Sequence, residues 1–232
     1  MTHQLGRRTP SDWKHVDKYP ISALRTEEIP KKVPVTIGVN WYTDFDKPVK
    51  KSGYWWIGLD SKNLGTLRGG HCVALKPPSL VDPVSWWIYY NQVKEGKCVG
   101  EGCSRMMSLL NRKRYDPTWL WNEAKMIDEW ADTNPGDNNG TSVRAACDVL
   151  RDQGHRRVIG STTSPAAVQE GISANRWAAT VEEVTTALGT NYQFVTILNS
   201  WGENYPHYVR MPLETLGRLL NEYGEMTIVT DR

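Results

Sequence analysis

Two β-patterned stretches bracket this chain: "VPVTIGVNWYTDF" (33–45) near one end and "YQFVTILNSWG" (192–202) near the other. Both are rich in β-branched and aromatic residues, and the second alternates through Val195 and Ile197 before ending in a turn. A shorter strand, "GGHCVAL" (69–75), follows a glycine pair. The segments between these ends read as helices. The order strands, helices, strands therefore predicts an α+β chain, with a β lobe built from about 34–76 and 191–232 and a helical lobe of about 84–190. At 232 residues the chain can be one large domain or two lobes sharing an interface. Residues 1–33 are polar and punctuated by proline, and read as an extended arm lying on the body.

The helical middle has explicit start and stop signals. Met106, Met107, Leu109 and Leu110 are spaced for a helix from Cys98 to Leu110, although Gly100 and Gly102 weaken its first turn. Asp116 before Pro117 is a cap followed by proline at the first helical position, and Leu120, Met126, Ile127 and Trp130 supply an apolar face. After the turn-rich "TNPGDNNG" (133–140), a helix turns Val143, Ala146, Cys147 and Leu150 inward and stops at Gly154. Thr180 and Glu183 form a capping box for a helix to about Leu188. "HYVRMP" (207–212) reads as a strand and "PLETLGRLLNEYG" (212–224) as a short helix. "STTSPAAVQEGISANRW" (161–177) has no clear pattern and reads as a loop.

Composition narrows the function. Lys plus Arg is 28 against 26 for Asp plus Glu, and a net charge of +2 gives no global electrostatic reason to expect nucleic acid or an anionic membrane. No apolar run approaches the roughly 20 residues a membrane span needs. "MTHQLGRRTPSDWKH" (1–15) has no apolar core to act as a secretion signal, so a cytoplasmic location is expected. The 4 cysteines form no CxxC pair, which argues against a zinc site or a disulfide framework and for reduced thiols. Trp (11) and Tyr (10) far outnumber Phe (2), and both suit groove walls because they join apolar area to a polar handle.

One constellation carries chemistry. A cysteine nucleophile needs a base, a group to orient that base, and donors for the oxyanion formed on attack. In "NQVKEGKCVG" (91–100), Cys98 opens a helix, where the positive end of the dipole and free N–H groups favour thiolate. His71 shares a strand face with Val73 and Leu75, and Asn199 shares one with Val195 and Ile197, so neighbouring strands can bring the two together. Gln92 can offer its side-chain N–H to an oxyanion beside the Cys98 N–H. His207 is the rival to His71 as base. Cys72, Cys103 and Cys147 read as buried.

These residues resemble the papain-like cysteine peptidases. Gln92 with Cys98 six positions later matches that family's oxyanion glutamine and nucleophile, "GGHCVAL" its Gly-His strand, and "NSWG" (199–202) its Asn strand with the following Trp. "GTSVRAACDVLRDQG" (140–154) resembles the helix behind the substrate-binding glycines, which assigns Gly140 and Thr141 to substrate binding, with Trp201 shielding the His–Asn pair. Val99, where the plant enzymes have Trp, is closer to bacterial and phage members. The family order is Cys, His, Asn, whereas His71 here precedes Cys98. Moving residues of about 35–76 to follow Gln193 restores that order, so the resemblance implies a transposed segment. It implies a papain-like fold with the site in the cleft, no cofactor or metal, and hydrolysis of a peptide or protein substrate. A permuted relative acting on peptidoglycan cross-links or acyl chains is an alternative. So is a catalytically silent binding or virion-structural module, virion-associated if the chain is of phage origin.

Overall fold

In chain order, a computed structural model places β1 (Val35–Tyr42), β2 (Val49–Lys51), β3 (Tyr54–Trp56) and β4 (Leu67–Lys76) before the helices α1 (Cys98–Asn111), α2 (Pro117–Ile127) and α3 (Val143–Gln153). Then come β5 (His155–Arg156), β6 (Gln169–Glu170), β7 (Ser173–Ala178), α4 (Val181–Leu188), β8 (Phe194–Leu198), β9 (Val209–Pro212), α5 (Leu213–Tyr223) and β10 (Glu225–Asp231). The described residues are 29, 31–80, 90–130, 138–158, 169–170 and 173–231. Most of the expected N-terminal arm lies outside them. Its end is anchored: Ile29 is buried among core residues, and the Val33 N–H donates to the Ala187 carbonyl at 3.0 Å.

Eight strands form one mixed sheet in the order β2-β3-β9-β8-β4-β1-β10-β7. β4, from the first third of the chain, lies between β1 and β8 and runs antiparallel to both. Its registers are Val39↔His71 against β1 and Ala74↔Leu198 against β8. The two ends of the sequence thus meet at the centre of one sheet. Because side chains alternate along a strand, that sheet feeds two cores. Val35, Ile37, Val73, Leu75, Val195 and Ile197 pack with Val184, Leu216 and Leu219 of α4 and α5. On the other face Cys72 joins Val99, Cys103, Met106, Met107, Leu120, Ala146 and Leu150 of α1, α2 and α3.

The helix signals are realised as hydrogen bonds. Asp116 accepts from the N–H groups of Thr118 (3.1 Å) and Trp119 (3.0 Å), and Ser142 accepts from Ala145 (3.0 Å). Both halves of the Thr180–Glu183 capping box form. Gly100 and Gly102 sit inside α1 for a reason of space. A Cβ at Gly100 would collide with the Pro117 carbonyl, and one at Gly102 would lie 2.9 Å from Cys72 Sγ and 3.3 Å from Thr36 Cγ2. Their helix-weakening cost is accepted because they let α1 press onto both α2 and the sheet, where Thr36 Oγ1 donates to the Gly102 carbonyl at 3.2 Å.

Two expectations fail. Met126 and Ile127, read with Leu120 as the apolar face of α2, are exposed, and Trp121 and Ala124 are buried with Leu120 instead. Within the stretch read as a loop, 173–178 is strand β7, paired antiparallel with β10. "SANRWA" has little β-propensity of its own, and ladder pairing with the last strand supplies the order that the local pattern does not.

Candidate active site

Cys98 is the first residue of α1, half-buried, with Lys97 before it giving no side-chain cap. The N–H groups of the first turn are therefore not consumed by a capping side chain. The thiol lies against the backbone N–H groups of Cys72, Val99 and Cys98 itself. Cys72 directly follows His71 in the middle of β4, so the thiol sits against the His-bearing part of that strand. On β4, His71 is buried, and its Nε2 is 2.7 Å from Asn199 Oδ1 at the end of β8. That bond occupies Nε2 and leaves Nδ1 as the nitrogen able to take a proton. Asn199 Oδ1 also accepts from the Ser200 N–H at 2.8 Å, which fixes the amide. His207 instead packs against Tyr208, with ring centroids 4.3 Å apart.

Aromatic rings close the pair from water. Trp41 packs edge-on to His71 at 4.6 Å between centroids, and Trp201 lies tilted at 5.5 Å. Trp201 also meets Trp41 and Tyr205. Trp41 Nε1 donates to Asp46 Oδ1 at 3.3 Å, and Arg68 pairs with the same carboxylate at 2.7 Å.

Gln92 is held by the turn that carries Asn199. Its N–H donates to the Ser200 carbonyl at 2.9 Å, and its Oε1 accepts from Ser200 Oγ at 2.6 Å. Asn91 bridges to Trp201, and the Gly202 N–H donates to the Tyr90 carbonyl at 3.3 Å. Gly202 has φ +67°, and a Cβ there would lie 2.7 Å from Asn91 Nδ2, so glycine suits both the turn and the close approach. Val93, a β-branched residue, also has positive φ (52°), strain of the kind that collects at functional loops.

Gly140 and Thr141 stand on the α3 side, beside the loop that leads to Cys98. The Gly96 N–H donates to the Asn138 carbonyl at 3.2 Å, and a Cβ at Gly140 would lie 3.6 Å from the Gly96 carbonyl oxygen. Thr141 is buried, and its hydroxyl donates to Asp128 Oδ2 at 2.8 Å. It braces this wall from within; Gly140 is the more exposed of the two.

The electrostatics differ from the sequence expectation of a helix-stabilised thiolate. Burial pushes the Cys98 thiol up to about 11, although the N–H groups of Cys72, Val99 and Cys98 favour the thiolate. Burial also lowers His71 to about 4, against the Asn199 hydrogen bond and the Asp46 charge. Desolvation outweighs the helix terminus, and at rest the Cys98 thiol and the His71 imidazole are both neutral. One turn into α1, burial raises the Glu101 carboxyl to about 7, with Lys97 and Arg105 opposing it.

Sequence reasoning did not single out Ser200, Trp41 or Asp46. Ser200 was findable, since it lies inside "NSWG". The rest depend on the β1–β4 register. Among the described residues no group of three or more His, Cys, Asp or Glu side chains is placed to hold a metal. No described helix is long and apolar enough to cross a membrane.

The fold and site define a mixed α/β chain in which one sheet presents a His–Asn pair and a cysteine heading a helix lies against the strand that carries the His. It is similar in structure to xylellain, a cysteine protease from Xylella fastidiosa, at 15% sequence identity and a TM-score of 0.47, over 68% of this chain and 87% of that one. No protein-family model and no curated protein matches the chain.

Proposed function

We propose that the chain is a papain-like cysteine peptidase whose His-bearing segment is transposed ahead of the nucleophile. The carrying observation is the 2.7 Å bond from His71 of β4 to Asn199 just after β8, with Cys72, next to His71, directing its N–H at the Cys98 thiol. Such constellations are defined by geometry rather than chain order. Cys98 sulfur attacks the carbonyl carbon of a peptide as its proton passes to His71 Nδ1. Gln92 Nε2 and the Cys98 N–H receive the oxyanion. The imidazolium, oriented by Asn199, gives its proton to the leaving amine. Water, deprotonated by His71, then hydrolyses the thioester. Gly140, next to Gly96 of the loop that leads to Cys98, and Trp201, packed on His71, contribute to the walls that hold the peptide.

The neutral resting pair supports a second reading, a silent binding module that keeps the cleft without the chemistry. Substitution separates the two. Cys98→Ala is expected to abolish both hydrolysis of a peptide library and labelling by iodoacetamide, while the melting temperature stays close to that of the parent. Absence of any hydrolysis by the parent chain, with Cys98 unlabelled, selects the binding module.

A further inference from the structure

Three of the four free thiols converge beneath the candidate site. Cys72 is central to them. Its backbone N–H points at the Cys98 sulfur, and its own thiol is hydrogen-bonded to that of Cys103. Its Sγ lies against α1 over Gly102, where a Cβ would come within 2.9 Å. Side chains alternate along β4, and the face opposite His71 is the face that α1 covers. Cys103, five positions along α1 from Cys98, points to a different side of that helix and reaches Cys72 rather than Cys98. Exposure differs sharply between the thiols: Cys98 is half-buried, while Cys72 is 2% and Cys103 0% exposed. An oxidant entering the cleft therefore meets Cys98 first.

We propose that Cys72 is a resolving thiol for Cys98, giving the site a reversible, disulfide-locked off state. The inference rests on the reading of Cys98 as the reactive thiol. Hydrogen peroxide oxidises Cys98 by two electrons to the sulfenic acid, as its O–O bond breaks and one water is released. The Cys72 sulfur then attacks the sulfenic sulfur. An S–S bond forms, and the hydroxyl leaves as a second water with the Cys72 proton. A dithiol such as dithiothreitol returns two electrons and restores both thiols. Without a resolving partner, further peroxide carries Cys98 to the irreversible sulfinic acid.

The test treats the full chain with hydrogen peroxide, alkylates it in denaturant and maps the peptides without reduction by mass spectrometry. The expected result is a Cys72–Cys98 cross-linked peptide pair, with two of the four thiols lost and both recovered by dithiothreitol. Cys103→Ala is expected to retain the cross-link. Cys72→Ala is expected to convert recoverable oxidation at Cys98 into sulfinic acid. Cys98 found as sulfinic acid with Cys72 alkylated in the parent chain overturns the proposal, as does a Cys72–Cys103 disulfide with Cys98 free or a Cys98 that peroxide leaves untouched. A cross-link in a chain without hydrolytic activity sinks the peptidase reading alone. Hydrolysis that dithiothreitol fails to restore after peroxide sinks this inference alone.

Discussion

At the scale of single residues, the site's behaviour turns on burial acting against polar support. Cys98 at about 11 and His71 at about 4 hold almost no thiolate–imidazolium pair at rest, so alkylation of Cys98 by iodoacetamide should climb through the alkaline range. A neutral His71 contributes no charge, so His71→Ala should keep that profile while abolishing hydrolysis at neutral pH. Fast labelling already on a plateau from pH 5 would show an ion pair and reverse this account. Ser200 makes a second test. Removing its hydroxyl leaves the Gln92 amide held only by the 3.4 Å bond from its Nε2 to the Glu95 carbonyl, and loss of one hydrogen bond of about 1 kcal/mol corresponds to roughly a fivefold effect. Ser200→Ala should therefore lower kcat by about that factor, with KM little changed, because the oxyanion exists only in the transition state. An effect confined to KM would place Ser200 in substrate binding instead. Cys98, Gln92, His71 and Asn199 were legible because residue type and spacing alone mark them. Trp41, 30 positions from His71, was not, since only the Val39↔His71 register brings β1 beside that ring.

At the scale of elements, α1 is the part that positions the thiol, and its two glycines set how closely it seats. Ala in place of Gly gains about 1 kcal/mol of helix propensity, while forced overpacking costs roughly 1–3 kcal/mol. At Gly100 the obstacle is a backbone carbonyl, which cannot swing aside; at Gly102 it includes the Cys72 thiol, the end of a side chain. Urea unfolding should thus show Gly100→Ala destabilised by about 2 kcal/mol and Gly102→Ala by less. Gly70, with nothing near its absent Cβ, should tolerate Ala and serves as the control. Equal stability of Gly100→Ala and the control would mean that α1 and α2 are not so closely seated. The capped helices α2, α3 and α4 were readable because caps are local chemistry. β7 was not, because its order comes from β10, some 50 residues away in sequence.

At the scale of the whole molecule, the central position of β4 ties the N-terminal hairpin into the sheet that carries Asn199 and, through Cys72, into the helical core. That arrangement was legible in outline, since β-patterned ends around a helical middle leave few ways to build a shared sheet. Among the groups it buries, His71, His155 and Glu101 have pH dependences that compete. His71 and His155 stay neutral when folded, lowered by burial to about 4 and about 3, and His155 is held by Ser104 Oγ at 2.8 Å. Between pH 6.5 and those values the unfolded chain binds more protons at both, so stability falls as pH falls. Glu101 acts in the opposite sense: with a folded value near 7, it binds its proton more tightly in the native state, so stability rises as pH falls from 7 toward its ordinary 4.5. Two histidines against one carboxyl leave a net of about one proton, a loss of roughly 1.4 kcal/mol per pH unit below about pH 6. Urea unfolding at pH 6 and pH 5 measures that slope. Glu101→Gln removes the opposing group and should steepen it to nearly twice the parent value, while leaving the chain more stable than the parent at pH 8, where burial of a charged carboxylate is costly. A slope unchanged by Glu101→Gln would mean that Glu101 is not buried against Lys97 and Arg105 as described, and that the interior beneath the thiol is wetter than this packing allows.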